Sequence, residues 1–274
     1  MDELTFDKEN RERIQAVENS FGPSGSPLSK MGRVLVGEGQ LIKQGRRKPE
    51  PKAFFLFNDV LVYGSVILNG RWYKKQKIIP LEAIQLEDME DGALTNQWLI
   101  RTPRKSFFVS APTYEEKRSW MEHIQDCRAR HLQGSGRQPG SNFAVSWIPD
   151  RASYKCMRCL NKFTATNRRH HCRKCGFLVC NVCSKQREVI DHIHPKKQQR
   201  VCALCHIRSQ GGMSRQRESR GRGKNSLEVD ELMASSDEEP VTHSHQPSSW
   251  LDSRSGTWGP VDYYDYSPAR RATS

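Results

Sequence analysis

Eight of the nine cysteines in this 274-residue chain fall into four CxxC pairs: Cys156 with Cys159, Cys172 with Cys175, Cys180 with Cys183, and Cys202 with Cys205. The two thiolates of such a pair can reach one zinc ion at about 2.3 Å. Four pairs therefore supply two closed tetrahedral sites, with no open position for a catalytic water. Spacing alone does not say which pairs share an ion, and RING-type ligase modules use comparable spacing. Disulfides are the competing use of so many cysteines. They are not expected, because the start Met1-Asp2-Glu3-Leu4 lacks the basic and apolar regions of a secretory signal.

Between the first and second pairs runs Arg168-Arg169-His170-His171-Cys172-Arg173, a cationic stretch that shares a residue with the metal frame. Arginine offers a planar fork of donors that matches phosphate, and charge-assisted bonds of this kind are the strong ones. Histidine, which titrates near pH 6.5, would add charge as the pH falls. Residues 147–206 hold thirteen Lys or Arg against three Asp or Glu, within a chain of net charge +13. Eight thiolates and two zinc ions lower the formal +10 of this segment to about +6, which still suits an anionic partner.

Trp147-Ile148-Pro149-Asp150 before the first pair, the Arg168–Arg173 run and Arg200-Val201-Cys202 together resemble the FYVE zinc-finger family, whose signature is WxxD, RRHHCR and RVC around eight cysteines. The resemblance implies two interleaved zinc sites. Cys156, Cys159, Cys180 and Cys183 would hold one ion, and Cys172, Cys175, Cys202 and Cys205 the other. It also implies phosphatidylinositol 3-phosphate as ligand on early endosomal membranes. Carried over by position, Arg169, Arg173 and Arg200 hold the 3-phosphate and Arg168 the 1-phosphate. Asp150 and His171 bond the inositol hydroxyls, with His170 beside them. A carboxylate at Asp150 accepts from ring hydroxyls and repels a further phosphate there. The membrane loop would be Thr164-Ala165-Thr166-Asn167, in which Ala165 and Thr166 stand where the family carries a bulky apolar pair.

The elements upstream read as a strand meander. Ala53–Phe57 and Val60–Tyr63 form a hairpin turning at Asn58-Asp59, and strand-like runs follow at 77–80, 98–102 and 106–110. A helix begins at Thr113, where Thr113 and Glu116 form a capping box, and Trp120, Ile124, Cys127 and His131 recur on one face, making Cys127 a core residue. About seven strands capped by one helix resemble a pleckstrin homology (PH) domain over residues 34–131. In that family basic residues of the first two strands and their loop bind inositol phosphates. The matching positions are Lys43, Arg46, Arg47, Lys48 and Lys52, with Lys52-Ala53-Phe54 where the family places an arginine pair.

The resulting fold class is multidomain and mainly β: a helical leader (1–33), a PH-like β-barrel capped by a helix (34–131), a flexible linker (132–146), a small α+β two-zinc FYVE finger (147–206) and a disordered tail (207–274). The leader carries an apolar stripe of Ile14, Val17 and Phe21 that would dock on a domain. The tail has an Arg-Gly tract, an acidic run from Glu228 to Glu239 that could compete for a basic lipid site, adjacent Ser235 and Ser236, and Tyr263-Tyr264-Asp265-Tyr266. Two weak lipid sites joined by a short tether gain avidity on one membrane.

This domain order is similar to the phafin proteins. The resemblance implies a phosphoinositide-binding peripheral adaptor with two Zn2+. It would act at the cytosolic face of early endosomes and at lysosomes, in endocytic traffic, autophagy and lysosome-linked apoptosis, and its protein effectors are unidentified. No nucleophile and base arrangement argues for an enzyme, and no apolar run reaches the 18 residues of a membrane span. The competing classes are a RING-like ubiquitin ligase, in which RRHHCR would have no purpose, and a nucleic-acid-binding zinc protein. The latter finds no aromatic platform or DNA-reading helix, so no nucleic-acid partner is expected.

Overall fold

The computed structural model describes residues 3–67, 72–90, 94–210, 247–252 and 255–260. The apolar run Ala53–Phe57 lacks polar alternation because both faces of its strand are covered. Phe54 and Leu56 enter one core with Trp98, Ile100 and Trp120, while Ala53, Phe55 and Phe57 enter another with Ile14, Val17 and Phe21. A strand buried on two faces reads as continuous hydrophobe.

Seven antiparallel strands build this unit: β1 (Leu35–Gln44), β2 (Pro49–Phe57), β3 (Val60–Ile67), β4 (Trp72–Pro80), β5 (Gln85–Asp88), β6 (Gln97–Arg101) and β7 (Phe107–Ser110), in the order β4-β3-β2-β1-β7-β6-β5. Helix α1 (Glu3–Ser20) lays the leader's stripe on the outer core. Asn10 fixes it by donating to the Arg33 carbonyl at 2.9 Å and accepting from the Leu35 N–H at 3.0 Å. Asp59 in the β2–β3 turn accepts two bonds from Arg33, at 2.8 and 2.7 Å.

Helix α2 (Tyr114–Ser135) starts as its capping residues require, with the Glu116 N–H donating to Thr113 Oγ1 at 3.2 Å. It buries Trp120, Ile124 and Cys127 on the inner core, and Trp120 meets Phe54 edge-on at 6.1 Å. Burial pushes the Cys127 thiol up to about 11, as befits a core group.

Two expectations need correction. The segment 132–146 is not a free tether. Helix α2 runs on to Ser135, Gly136 turns in the left-handed region (φ 62°), and the following chain is strapped to the barrel. The Gly140 N–H donates to the Glu82 carbonyl at 2.9 Å, the Ala144 N–H to the Thr102 carbonyl at 3.0 Å, and Arg137 pairs with Glu82.

Nor is the whole of 207–274 without structure. Residues 203–210 form helix α3 (Ala203–Gln210), and two short strands, β12 (Ser249–Leu251) and β13 (Trp258–Pro260), extend the barrel sheet at the Gly37-Glu38 edge of β1. A Cβ built on Gly37 would overlap the Trp250 ring, and one on Gly39 would overlap Ser248, so the glycines open the slot that the tail fills. Trp250 is 5% exposed, against Trp120 and His123. The Arg-Gly tract, the acidic run, Ser235, Ser236 and the tyrosine cluster lie outside the described residues.

The finger has little regular structure: β8 (His170–His171) pairs with β9 (Leu178–Val179), β10 (Arg187–Ile190) pairs with β11 (His194–Arg200), and α3 closes it. Its core is cysteine packed with Val179, Ile190 and Val201.

Candidate functional site

The cysteines gather into two groups, Cys156, Cys159, Cys180 and Cys183, and Cys172, Cys175, Cys202 and Cys205. A tetrahedron with Zn–S bonds of about 2.3 Å puts its sulfurs about 3.8 Å apart. Cys159 Sγ and Cys180 Sγ are 3.8 Å apart, and Cys175 Sγ and Cys202 Sγ 4.0 Å, so the donor sets fit the ion. Backbone N–H groups point at the sulfurs: Cys180 N donates to Cys156 Sγ and Cys202 N to Cys172 Sγ, each at 3.3 Å. A hydrogen bond from the Cys175 thiol, helped by backbone N–H groups of Cys202, Cys175 and Lys174, lowers the Cys172 thiol well below its ordinary value against the opposing effect of burial. Each set is complete with four thiolates, so a zinc ion bound there would hold the fold and leave no open position for chemistry.

On this frame the strand pairing aims the basic residues. The Arg173 N–H donates to the Arg200 carbonyl at 2.9 Å, bringing together two arginines that stand far apart in sequence. Arg173 lies over the Trp147 ring, 3.9 Å from its centroid, and donates to the His171 carbonyl at 3.1 Å. Trp147 stacks on His171 at 4.9 Å. His171 is buried; its Nε2 is 2.7 Å from the Ile148 carbonyl, which assigns the proton to that nitrogen, and 3.7 Å from Asp150 Oδ1. That carboxylate oxygen is buried and has no hydrogen-bond donor. Arg200 is anchored on Asn181 Oδ1 and on the Ser184 carbonyl and hydroxyl.

Burial lowers the pKa of His170, and Arg200, Arg187 and Arg46 lower it further. His171 is also lowered, by burial first; the Ile148 carbonyl and Asp150 oppose this, while Arg173 and Arg46 add to it. In the ligand-free protein the acid window of both histidines therefore sits below the ordinary value of about 6.5 expected from sequence.

Asp150, His170, His171, Arg173 and Arg200 thus converge. Arg168 and Arg169 are engaged elsewhere: Arg168 donates to the Ala165 carbonyl at 3.3 Å, and Arg169 lies over Phe163 at 5.0 Å. Ala165 and Thr166 are exposed in a tight turn closed by the Asn167 N–H donating to Thr164 Oγ1 at 2.9 Å.

The barrel's candidates separate. Lys43 is 7% exposed, its ammonium 4.1 Å from the Phe107 centroid, and burial with Lys105 and Lys52 nearby lowers it to about 7. Lys52 bonds Glu50 and Ser65 at 2.7 and 2.9 Å. Arg47 and Lys48 are exposed at the turn. Arg46 reaches the finger: its Nε is 3.1 Å from Asp150 Oδ2. Sequence reasoning missed Lys105, which covers Trp147 at 4.8 Å, and Arg187; each is one more cation in a basic chain, with no local signal to mark it.

A barrel capped by a helix, joined to a two-site cysteine finger with a basic pocket, defines a PH domain followed by a FYVE zinc finger. Family models described as "PH domain" and "FYVE zinc finger" match residues 35–129 and 146–211. Over 228 residues the chain is 49% identical to human "Pleckstrin homology domain-containing family F member 1", covering 82% of this chain and 81% of that one. To human member 2 it is 48% identical over 217 residues, covering 78% and 87%. The chain belongs to the pleckstrin homology domain-containing family F, the phafins, and its two domains make it a phosphoinositide-binding adaptor. No described helix is long and apolar enough to cross a membrane.

Proposed function

We propose that the chain reads phosphatidylinositol 3-phosphate through its finger. It would do so as a non-enzymatic peripheral adaptor at the cytosolic face of early endosomes and lysosomes, serving endocytic traffic, autophagy and lysosome-linked apoptosis. The observation that carries this reading is that the zinc frame brings Arg173 against Arg200, with His170 beside Arg200, and sets His171 3.7 Å from Asp150. The guanidiniums supply charge-assisted donors for a phosphate, and Asp150 supplies an acceptor for a ring hydroxyl. Two Zn2+ hold the strands that carry these groups.

The barrel's basic residues add attraction to anionic lipid, roughly 1 kcal/mol for each Lys or Arg near the surface. Co-sedimentation with vesicles bearing each phosphoinositide in turn, using wild type and Arg173→Ala, tests the reading. Selective capture by the 3-phosphate that Arg173→Ala abolishes supports it. Undiminished capture of that variant would remove the finger as the reader.

A further inference from the structure

The β1–β2 turn of the barrel does more than approach the finger. The Asp150 N–H donates to the Arg46 carbonyl at 2.8 Å, and the Arg46 side chain returns to the same residue, with Nε 3.1 Å from Asp150 Oδ2. Backbone and side chain together fix Arg46 on the one carboxylate of the finger's pocket. Among the described residues, Arg46 has no other hydrogen-bond or ion-pair partner, and half of its side chain stays exposed. Its remaining guanidinium donors thus stand at the pocket's rim.

The surrounding charges have one sign. Lys105 and Arg173 both lie over Trp147, and the charged groups acting on Lys105 are Arg173, Arg46 and Lys77. Such a cluster of cations is costly unless an anion joins it.

We propose that Arg46, though it belongs to the PH domain, is a specificity-determining residue of the finger's headgroup site, and that it admits inositol lipids bearing a second ring phosphate beside the 3-phosphate. The proposal rests on reading that pocket as the 3-phosphate site. A bare carboxylate at Asp150 would repel a further phosphate next to the hydroxyls it contacts. Arg46 neutralises that carboxylate and offers its own donors at the same edge. The lipid specificity of the intact chain therefore differs from that of a finger whose Asp150 is unpaired.

The test measures binding of the full chain to phosphatidylcholine vesicles carrying phosphatidylinositol 3-phosphate, the 3,4-bisphosphate or the 3,5-bisphosphate. Wild type is expected to bind at least one bisphosphate within a few-fold of the monophosphate. Arg46→Gln should shift the ratio about tenfold toward the monophosphate, the cost of one charge-assisted contact together with a freed carboxylate. Adding Asp150→Asn to Arg46→Gln should restore much of the ratio, because the repelling charge is then gone.

An equal loss on all three lipids in Arg46→Gln, or a wild type blind to both bisphosphates, would overturn the proposal. Arg173→Ala separates the two levels. If it leaves 3-phosphate binding intact, the underlying pocket assignment fails. If it abolishes that binding while Arg46→Gln leaves the ratio unmoved, only the role of Arg46 fails.

Discussion

The indole Nε1 of Trp120 donates to Ser248 Oγ at 3.0 Å, joining α2 to the residue that precedes β12, 128 residues further along the chain. The Ser248 N–H donates in turn to Glu116 Oε1 at 3.0 Å, and Trp250 meets Trp120 edge-on at 4.7 Å and stacks on His123 at 4.0 Å. The tail segment is therefore part of the barrel's core.

Trp250→Ala should lower barrel stability by about 3 kcal/mol, the low end for a buried tryptophan because a terminal strand can detach and relax. Gly37→Val should do the same from the opposite side, by closing the slot. Amide exchange read by mass spectrometry is the check. Both variants should lose protection at 249–251 and 258–260 and along the β1 edge, and retained protection would refute the docking.

Removing two cysteines of one tetrad tests the pairing. Cys172→Ala with Cys202→Ala should reduce bound zinc from two ions per chain to one, because both residues belong to one group, whereas sharing between consecutive pairs would cost both ions. The Trp98 and Trp120 environment of the barrel should keep its near-ultraviolet signature, since no cysteine ligand enters that core. Native mass spectrometry gives the stoichiometry. A double variant that holds no ion, or still holds two, would disprove the assigned sharing.

How far the chain could be read in advance depended on whether the determining interaction was local. The CxxC pairs, the Thr113 cap and the Phe54–Phe57 run announce themselves within a few residues, and the structure realises them. Lys43 reads in the sequence as one of the basic residues that would bind an inositol phosphate. Yet it lies two residues after buried Leu41 on β1, and strand alternation turns it inward. The linker is held by the backbone N–H groups of Gly140 and Ala144, which no side-chain pattern encodes. Trp250 and Trp258 are isolated aromatics in a polar tail, and their partners Gly37, Phe6 and Arg13 lie over two hundred residues away. The Arg46–Asp150 pair likewise needs two domains to dock before it exists.

Lys43 makes barrel stability depend on alkaline pH. Its folded pKa is about 7, lowered by burial and by Lys105 and Lys52, against about 10.4 in an unfolded chain. Between these values the unfolded state binds the extra proton, so stability rises with pH across that window and is least below it. The gain is on the order of 2–4 kcal/mol after allowing for the attraction of the Phe107 and Tyr63 faces for the ammonium. Lys43→Met should be more stable than wild type at pH 7, and the difference should shrink toward pH 10. Urea midpoints at several pH values decide this, and parallel profiles for the two proteins would refute it.

The loop expected to meet the membrane offers a gain-of-function test. Thr164–Asn167 is a polar turn, tied by Asn167 Nδ2 donating to the Lys162 carbonyl at 2.8 Å as well as by the Thr164 hydroxyl, and beside the exposed Thr164 it presents Ala165 and Thr166 as the insertion candidates. These two bury little apolar surface in a bilayer. A leucine at each position adds roughly 1.5–3 kcal/mol per fully buried side chain. Because a loop tip is only partly buried, Ala165→Leu with Thr166→Leu should tighten binding to 3-phosphate vesicles by about ten- to a hundredfold, chiefly through slower release. The gain should vanish against soluble inositol 1,3-bisphosphate, which has no bilayer to enter. Equal gains on vesicle and soluble headgroup would mean that the loop acts on the pocket, while no gain on vesicles would place it away from the membrane.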